Sequence, residues 1–170
     1  MKNILKTVLI VAFMLTATIA WSQANLKIGH IDSQALIELM PEKDSVEAQL
    51  MAYQRSLEEQ IGAMYVEYQS KVTDYQNNVD GMSDIIKQTK EREIADLETR
   101  ITEFQQNAEA DFGLKQQELY DPLITKAREA IKVVAEANGF TYIFDVSMGT
   151  VLYFEAGEDV LPLVKAKLGL

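Results

Sequence analysis

The chain has no cysteine, so no disulfide staples it, no thiol serves as nucleophile or metal ligand, and no lipid can be attached to a cysteine at a processing site. It has one histidine, His30. A single imidazole without a placed partner builds neither a catalytic triad nor a typical metal site, so its default role on an apolar stretch is structural. There is no glycine-rich phosphate loop and no metal-spaced cluster. Basic residues are scarce, 16 against 26 acidic, for a net charge of −10. Phosphate recognition needs a basic patch, which argues against nucleic acid as a partner. Long apolar runs are missing too: the longest opens the chain and is shorter than the ~20 residues a membrane span takes. An enzyme, or the regulatory subunit of one, is left with little but carboxylates, and these read as a solvated helix face. No cofactor is implied.

The opening run has the make-up of an export signal. Lys2 and Lys6 precede the apolar stretch from Val8 to Leu15, then Thr16 to Ala20, with small residues Ala20 and Ser22 three and one positions before Gln23. Residues 1–22 are therefore read as a cleaved signal peptide, with cleavage after Ala24 as the alternative. The processed chain would hold 14 basic and 26 acidic residues, a net of −12. It would be exported and not stably inserted in a membrane. Without disulfides, it has to draw its stability from a core or from partner subunits.

What the chain has in quantity is helical periodicity. Val46, Leu50, Tyr53, Leu57, Ile61, Met64, Tyr68, Val72, Tyr75 and Val79 recur in steps of four, three and four. Eleven residues over three turns is about 3.67 per turn, so the stripe keeps to one face of a nearly straight helix. At ~1.5 Å per residue the stripe reaches roughly 50 Å, longer than a domain of this size is wide, and needs a partner along its length. The spacing predicts a helix from about Glu42 to Asn77, a reversal at 77–83 among Asn77, Asn78, Asp80 and Gly81, and a return helix capped by Ser83-Asp84. The return stripe is Ile86, Ile94, Leu97, Ile101, Phe104, Ala108 and Phe112, facing the first helix as an antiparallel hairpin. The return helix continues through Leu119, Leu123, Ala127, Ala130 and Val134 to a C-cap at Asn138-Gly139. Pro122 falls inside it and predicts a kink near Tyr120 to Pro122. Asp121, Pro122 and Gly113 are thus the hinge candidates.

The rest reads as a small body. Leu26 to Ile31 alternates as a strand, with Leu26, Ile28 and His30 on one face and Lys27, Gly29 and Ile31 on the other. Asp32 or Ser33 caps a short helix carrying Leu36, Ile37 and Met40, and Pro41 opens the next helix. The β-branched and aromatic runs 140–146 and 150–154 predict two largely buried strands joined as a hairpin through Ser147-Met148-Gly149. Asp159 caps a closing helix with Leu161, Val164 and Leu168 inward. The fold class is α+β: a β-rich oligomerisation body at 25–41 and 115–170, and a helical hairpin arm at 42–114. So small a body is marginal alone and leaves sheet edges open, so Ile28, Ile31, Tyr142, Phe144, Val151 and Tyr153 are candidates for contact between copies.

Within the arm, Tyr53, Met64, Tyr68 and Tyr75 belong to the stripe and fill the seam. Met51, Tyr65 and Met82 lie off it or at the tip. Flexible methionine and amphipathic tyrosine suit a surface that accepts many sequences, so these three are candidates for contact with a client polypeptide; the plainer alternative is that they widen the seam.

An ordered set of segments carries a resemblance: Lys27-Ile28-Gly29-His30-Ile31-Asp32-Ser33-Gln34-Ala35 after a signal peptide, the long charged hairpin, Asp121-Pro122, Asn138-Gly139-Phe140-Thr141-Tyr142-Ile143-Phe144-Asp145, and Val151-Leu152-Tyr153. Over essentially the whole mature chain this resembles the Skp (OmpH-like) family of periplasmic chaperones. The resemblance implies a homotrimer whose strands form a common β body, with tentacle-like arms around a cavity. There an ATP-independent holdase keeps unfolded outer-membrane proteins on their way through the periplasm. Charge departs from that pattern. Between Glu42 and Asp111 stand 16 acidic and 7 basic residues, a net of −9, whereas the best-known members are basic, and like charges oppose contact with lipopolysaccharide or anionic membrane. The competing reading is an exported coiled-coil structural or adaptor protein that grips one dedicated folded partner.

Overall fold

The computed structural model describes residues 26–170, and the export signal read at 1–22 lies outside them. In chain order come β1 (Ile28–Ile31), α1 (Ser33–Leu39), α2 (Glu42–Asn78), a 3₁₀ turn (Val79–Gly81), α3 (Asp84–Asn138), β2 (Tyr142–Asp145), β3 (Glu158–Asp159) and α4 (Leu161–Leu168). The chain forms two compact units. One runs through residue 33 and resumes over 130–169, and the other spans 34–129. The architecture is α+β, dominated by the two long helices.

The 34–129 unit is built on the two stripes. Pro41 stands immediately before α2 with φ −63°, where its missing N–H costs nothing, and Glu42 and Asp44 place negative charge in the first turn. All ten stripe positions from Val46 to Val79 are buried or half-buried. On α3, Leu97, Ile101 and Ala108 are buried, while Ile94, Phe104 and Phe112 are half-buried. Two helices alone cannot close around a seam, which is why most stripe residues stop at partial burial. After the 3₁₀ turn, Met82 adopts an extended backbone, and the Ser83 carbonyl accepts the N–H groups of Ile86 at 2.9 Å and Lys87 at 3.0 Å, opening α3. The register is antiparallel. Lys71 meets Glu93 at 3.1 Å, Lys90 meets Asp74 at 3.3 Å, Gln105 Nε2 donates to the Tyr65 hydroxyl at 3.2 Å, and Lys126 pairs with Glu42. Exposed pairs of this kind add little stability each, so the seam holds the helices together and the pairs report its alignment.

The sheet unit has the strand order β2-β1-β3, with both neighbours parallel to β1. Ile28 stands opposite Tyr142 and His30 opposite Phe144, whereas Gly29 stands opposite Ile143 and Glu158. Gly29 and Ile31 turn inward, and the unit's core is Ile31, Ala130, Val134, Val160 and Val164. Gly139, at φ +69°, ends α3 in the left-handed conformation that favours glycine. Asp159 Oδ1 accepts the Leu161 N–H at 2.9 Å, so this carboxylate opens α4 from just outside it.

The expected strand pair at 140–146 and 150–154 does not form. Residues 142–145 pair in parallel with β1, residues 150–154 are not a strand, and the second neighbour of β1 is Glu158–Asp159. Nor are the two runs buried: Tyr142, Phe144, Leu152, Tyr153 and Phe154 are exposed. The cause is local. The Asp145 carboxylate accepts the Ser147 N–H at 3.0 Å, and Gly149 sits at φ +66° with its N–H on the Val146 carbonyl at 3.3 Å. The chain then crosses to the other edge of β1, where a turn closed by the Gly157 N–H on the Phe154 carbonyl at 2.8 Å delivers β3. Composition reports fit to a pleated surface, but an available edge decides the pairing.

Gly29 is where β1 is most closely covered. A Cβ there would lie 2.9 Å from both Phe140 Cε1 and Val160 Cγ1. The Phe140 ring is pinned from outside by the Lys27 ammonium, 3.9 Å from its centroid. Gly29→Ala is therefore expected to destabilise the protein by about 1–3 kcal/mol, as overpacked cores do, read as a lower urea midpoint at unchanged slope. An unchanged midpoint would show that Phe140 yields freely.

Candidate functional site

The outward face of the sheet forms an apolar concavity. Ile28 and His30 on β1, Phe144 on β2, and Val151, Tyr153 and Phe154 on the crossing loop line a groove of about 470 Å³. The alternation of β1 explains the placement, since residues two apart share a face. The Tyr142 and Phe144 rings stack with centroids 6.1 Å apart. The His30 ring packs on Phe154 at 4.7 Å, and its Nδ1 is buried without a hydrogen-bond partner. Gly157 passes close by, and a Cβ there would approach Nδ1 to 3.1 Å.

Of the residues singled out for contact between copies, Ile28, Tyr142, Phe144 and Tyr153 are exposed and Val151 is half-buried. Ile31 instead points into the chain's own core, one step out of phase with Ile28. Leu152, which sequence reasoning did not single out, is 95% exposed, the most open large apolar side chain among the described residues. Its position in the middle of an apolar run was the available signal.

On the helices, Met51 is 63% exposed, Tyr65 is exposed with its hydroxyl held by Gln105, and Met82 is half-buried at the turn. Tyr53, Met64, Tyr68 and Tyr75 are half-buried in the seam. Tyr75 donates to the Glu91 carboxylate, and that bond, followed by burial and the neighbouring charge, holds its hydroxyl above the usual pKa. Val66, at 71% exposed, together with Ile85 and Leu114, also stands outside the seam. A search confined to methionine and tyrosine missed all three, although an aliphatic residue off the stripe was signal enough. Gly113, Asp121 and Pro122 lie within α3, which runs unbroken from Asp84 to Asn138. Open space surrounds the Gly113 Cα.

Asp145 ties the end of β2 to the start of α1. Its carboxylate accepts the Ser33 N–H at 3.2 Å, the Ser33 hydroxyl and the Ser147 N–H. Partial burial pushes its pKa up, but the bonds from Ser33 and Ser147 together outweigh this and hold it below the usual carboxylate value. A lowered folded-state pKa adds stability above the unfolded value of about 3.9, and that contribution is lost as pH falls through the folded value. Asp145→Asn is expected to cost about 1 kcal/mol at pH 7. The gap between the two proteins should narrow as pH drops below about 4. Urea midpoints across pH 3 to 7 check this, and a gap constant with pH would show that the Asp145 charge contributes nothing.

Among the described residues no group of three or more histidine, aspartate and glutamate side chains is placed to hold a metal ion. No described helix is long and apolar enough to cross a membrane. What the molecule offers is surface: two long helices paired over a half-buried seam, and a small sheet with an open apolar face. That defines a class of protein with a long helical hairpin and a small open-faced sheet. The chain belongs to the OmpH-like family, described as "Outer membrane protein (OmpH-like)", which matches residues 27–168. The family is associated with periplasmic chaperones of outer-membrane proteins. A comparison with curated proteins found no match.

Proposed function

We propose that this protein is an ATP-independent periplasmic holdase that binds unfolded outer-membrane protein precursors in a cavity between the helical arms of a homotrimer. The observation that carries the reading is the set of exposed apolar side chains outside the seam: Met51 and Val66 on α2, Ile85 and Leu114 on α3. Isolated hairpin helices have no structural use for them, whereas an unfolded chain presents many apolar groups to which they can bind weakly and together. Family membership and the export signal read at residues 1–22 support the same conclusion.

The mechanism needs no bond-making chemistry. A protein that binds only unfolded chains holds them unfolded by mass action, and release follows when a better acceptor competes. The arms' negative charge keeps the loaded complex soluble. Assembly of copies through the open sheet face, with Ile28, Tyr142, Phe144, Val151 and Tyr153 at the contact, would bring the arms around one space and cover apolar surface that a single copy exposes.

The test is dilution of a chemically unfolded outer-membrane barrel from denaturant into buffer with equimolar trimer, followed by light scattering. The barrel is expected to stay soluble without nucleotide. Aggregation at the rate of the barrel alone would refute the reading.

A further inference from the structure

We infer that His30 makes assembly through the sheet face acid-sensitive: copies associate while this imidazole is neutral and separate when it takes up a proton. The inference rests on the assembly reading above and adds the condition under which copies stay together. The occupant of the face is a second copy because the chain carries both halves of a contact. Leu152, 95% exposed, stands between the groove-lining Val151 and Tyr153, and a knob on one copy entering the groove of the next repeats around a closed ring.

His30 stands opposite Phe144 in the register of β1 and β2, and its ring packs on Phe154 at 4.7 Å. Its Nδ1 is buried without a hydrogen-bond partner, the one side-chain nitrogen or oxygen so placed among the described residues. A neutral imidazole has one N–H, so it can keep Nδ1 as a bare lone pair. A protonated imidazole has two, and the second leaves a donor unsatisfied at Nδ1, which is costly away from water. In a single copy the ring is half-buried at the open groove, so water reaches part of it and offsets the charge. A second copy seated on the face removes that water, and the apolar surface that replaces it favours the neutral ring.

The charged groups around the ring do not reverse this sign. On β3, Asp159 stands opposite His30 with Oδ1 accepting the Leu161 N–H at 2.9 Å, and Glu158 pairs with Lys27 at 3.0 Å. Glu155 follows Phe154 on the crossing loop. All three carboxylates are exposed, so solvent screens their pull on the imidazole. Asp32, two residues beyond His30, shares its side of the sheet by alternation. On β2 the Asp145 carboxylate is bound by Ser33 and Ser147, and Tyr142 and Tyr153 add phenols to this face. The inner side of the sheet meets the apolar Ala130, Val134 and Val164 of α3 and α4. Histidine is the side chain that ordinarily changes charge between pH 5 and 8, and His30 is the chain's only one. Carboxylates ordinarily titrate below that window, and losing their charge would ease repulsion between copies, the opposite direction.

The experiment uses the full processed protein without a histidine tag, its mass followed by size exclusion with light scattering from about pH 8 to about pH 5. Assembly is expected at the alkaline end and single chains at the acid end, with circular dichroism unchanged. Affinity should fall about tenfold per copy for each pH unit below the ordinary histidine value. The NMR signal of the only imidazole should move in step with the mass. His30→Phe keeps a ring against Phe154 and should stay assembled throughout, which also separates the imidazole from the chain's amino terminus. His30→Lys, charged at every pH used, should be monomeric even at the alkaline end. A mass independent of pH, tighter association in acid, or an imidazole signal that titrates with no change in mass overturns the inference and leaves assembly standing. Dissociation of a folded His30→Phe protein over the same range overturns it too, and if that variant does not fold, the imidazole signal of the unaltered protein decides. A protein that is monomeric at the alkaline end removes the assembly reading itself and the inference with it.

Discussion

Exchanging Leu152 and Tyr153 for glutamate is expected to leave the chain folded but monomeric, and to end its protection of unfolded barrels. Within one copy the two side chains are 95% and 72% exposed, so their replacement disturbs no core and should change the chain's own stability by no more than about 0.5 kcal/mol. In the proposed assembly of copies, the same exposure is the source of affinity. Burying each side chain contributes about 1.5–3 kcal/mol, so the pair supplies roughly 3–6 kcal/mol per copy, equivalent to two to four decades in affinity. The substituted carboxylates would also have to lose water against an apolar groove lined by Ile28, Phe144, Val151 and Phe154. Mass in solution at about 10 µM, by size exclusion with light scattering, is the measurement, with circular dichroism to confirm the fold. A mass unchanged from the parent protein would place the assembly contact elsewhere.

The helical unit was legible in the sequence because one periodicity sets everything in it. A 4-3-4 recurrence that keeps ten residues on one face over more than nine turns has no strand alternative, and the Asn77 to Ser83 cluster leaves the chain one place to reverse. The sheet unit was legible only in its composition. The runs at 142–145 and 150–154 carry nearly the same residue types, yet one pairs with β1 and the other lies open. The difference comes from the turn that Asp145 and Gly149 make after β2, together with the reach of the Asp145 carboxylate to Ser33, 112 residues away in sequence, and no local pattern announces the second. Parallel pairing with β1 was hidden for the same reason, as its partners lie beyond the whole hairpin or beyond a crossing loop. Tyr142, Phe144 and Tyr153 were singled out as candidates because aromatic residues in a small body attract attention, while Val66, Ile85 and Leu114, off the stripe, and Leu152, inside an apolar run, were passed over in favour of aromatic residues and methionine. Gly29 and Gly157 looked like ordinary glycines until Phe140, Val160 and His30 were seen to crowd them.

Leu36→Ala is expected to be the most damaging truncation of a single side chain in the 34–129 unit, and Leu39→Ala, one turn later on the same helix, supplies the control. Both leucines sit in α1, seven residues long, Leu36 in the middle and Leu39 at the last position, and the same exchange between two strong helix formers is made at each. Burial separates them: Leu36 is 0% exposed and Leu39 is 47% exposed. Removing a fully buried leucine loses its transfer free energy and leaves a cavity that close-packed neighbours cannot fill, about 2.7–5 kcal/mol in all. At Leu39 the truncated atoms were partly in water already and no closed cavity forms, so a cost of about 1 kcal/mol or less is expected. With total stability of only about 5–15 kcal/mol for a protein of ordinary size, the first substitution removes a large share of it and the second a small one. Urea unfolding of the two variants, compared at equal protein concentration so that assembly does not bias the midpoints, decides the matter. Equal midpoints would mean that α1 is not anchored through Leu36, and that the connection from β1 into α2 takes its stability from Met40, Val46 and Leu50 instead, the other buried apolar side chains on that stretch.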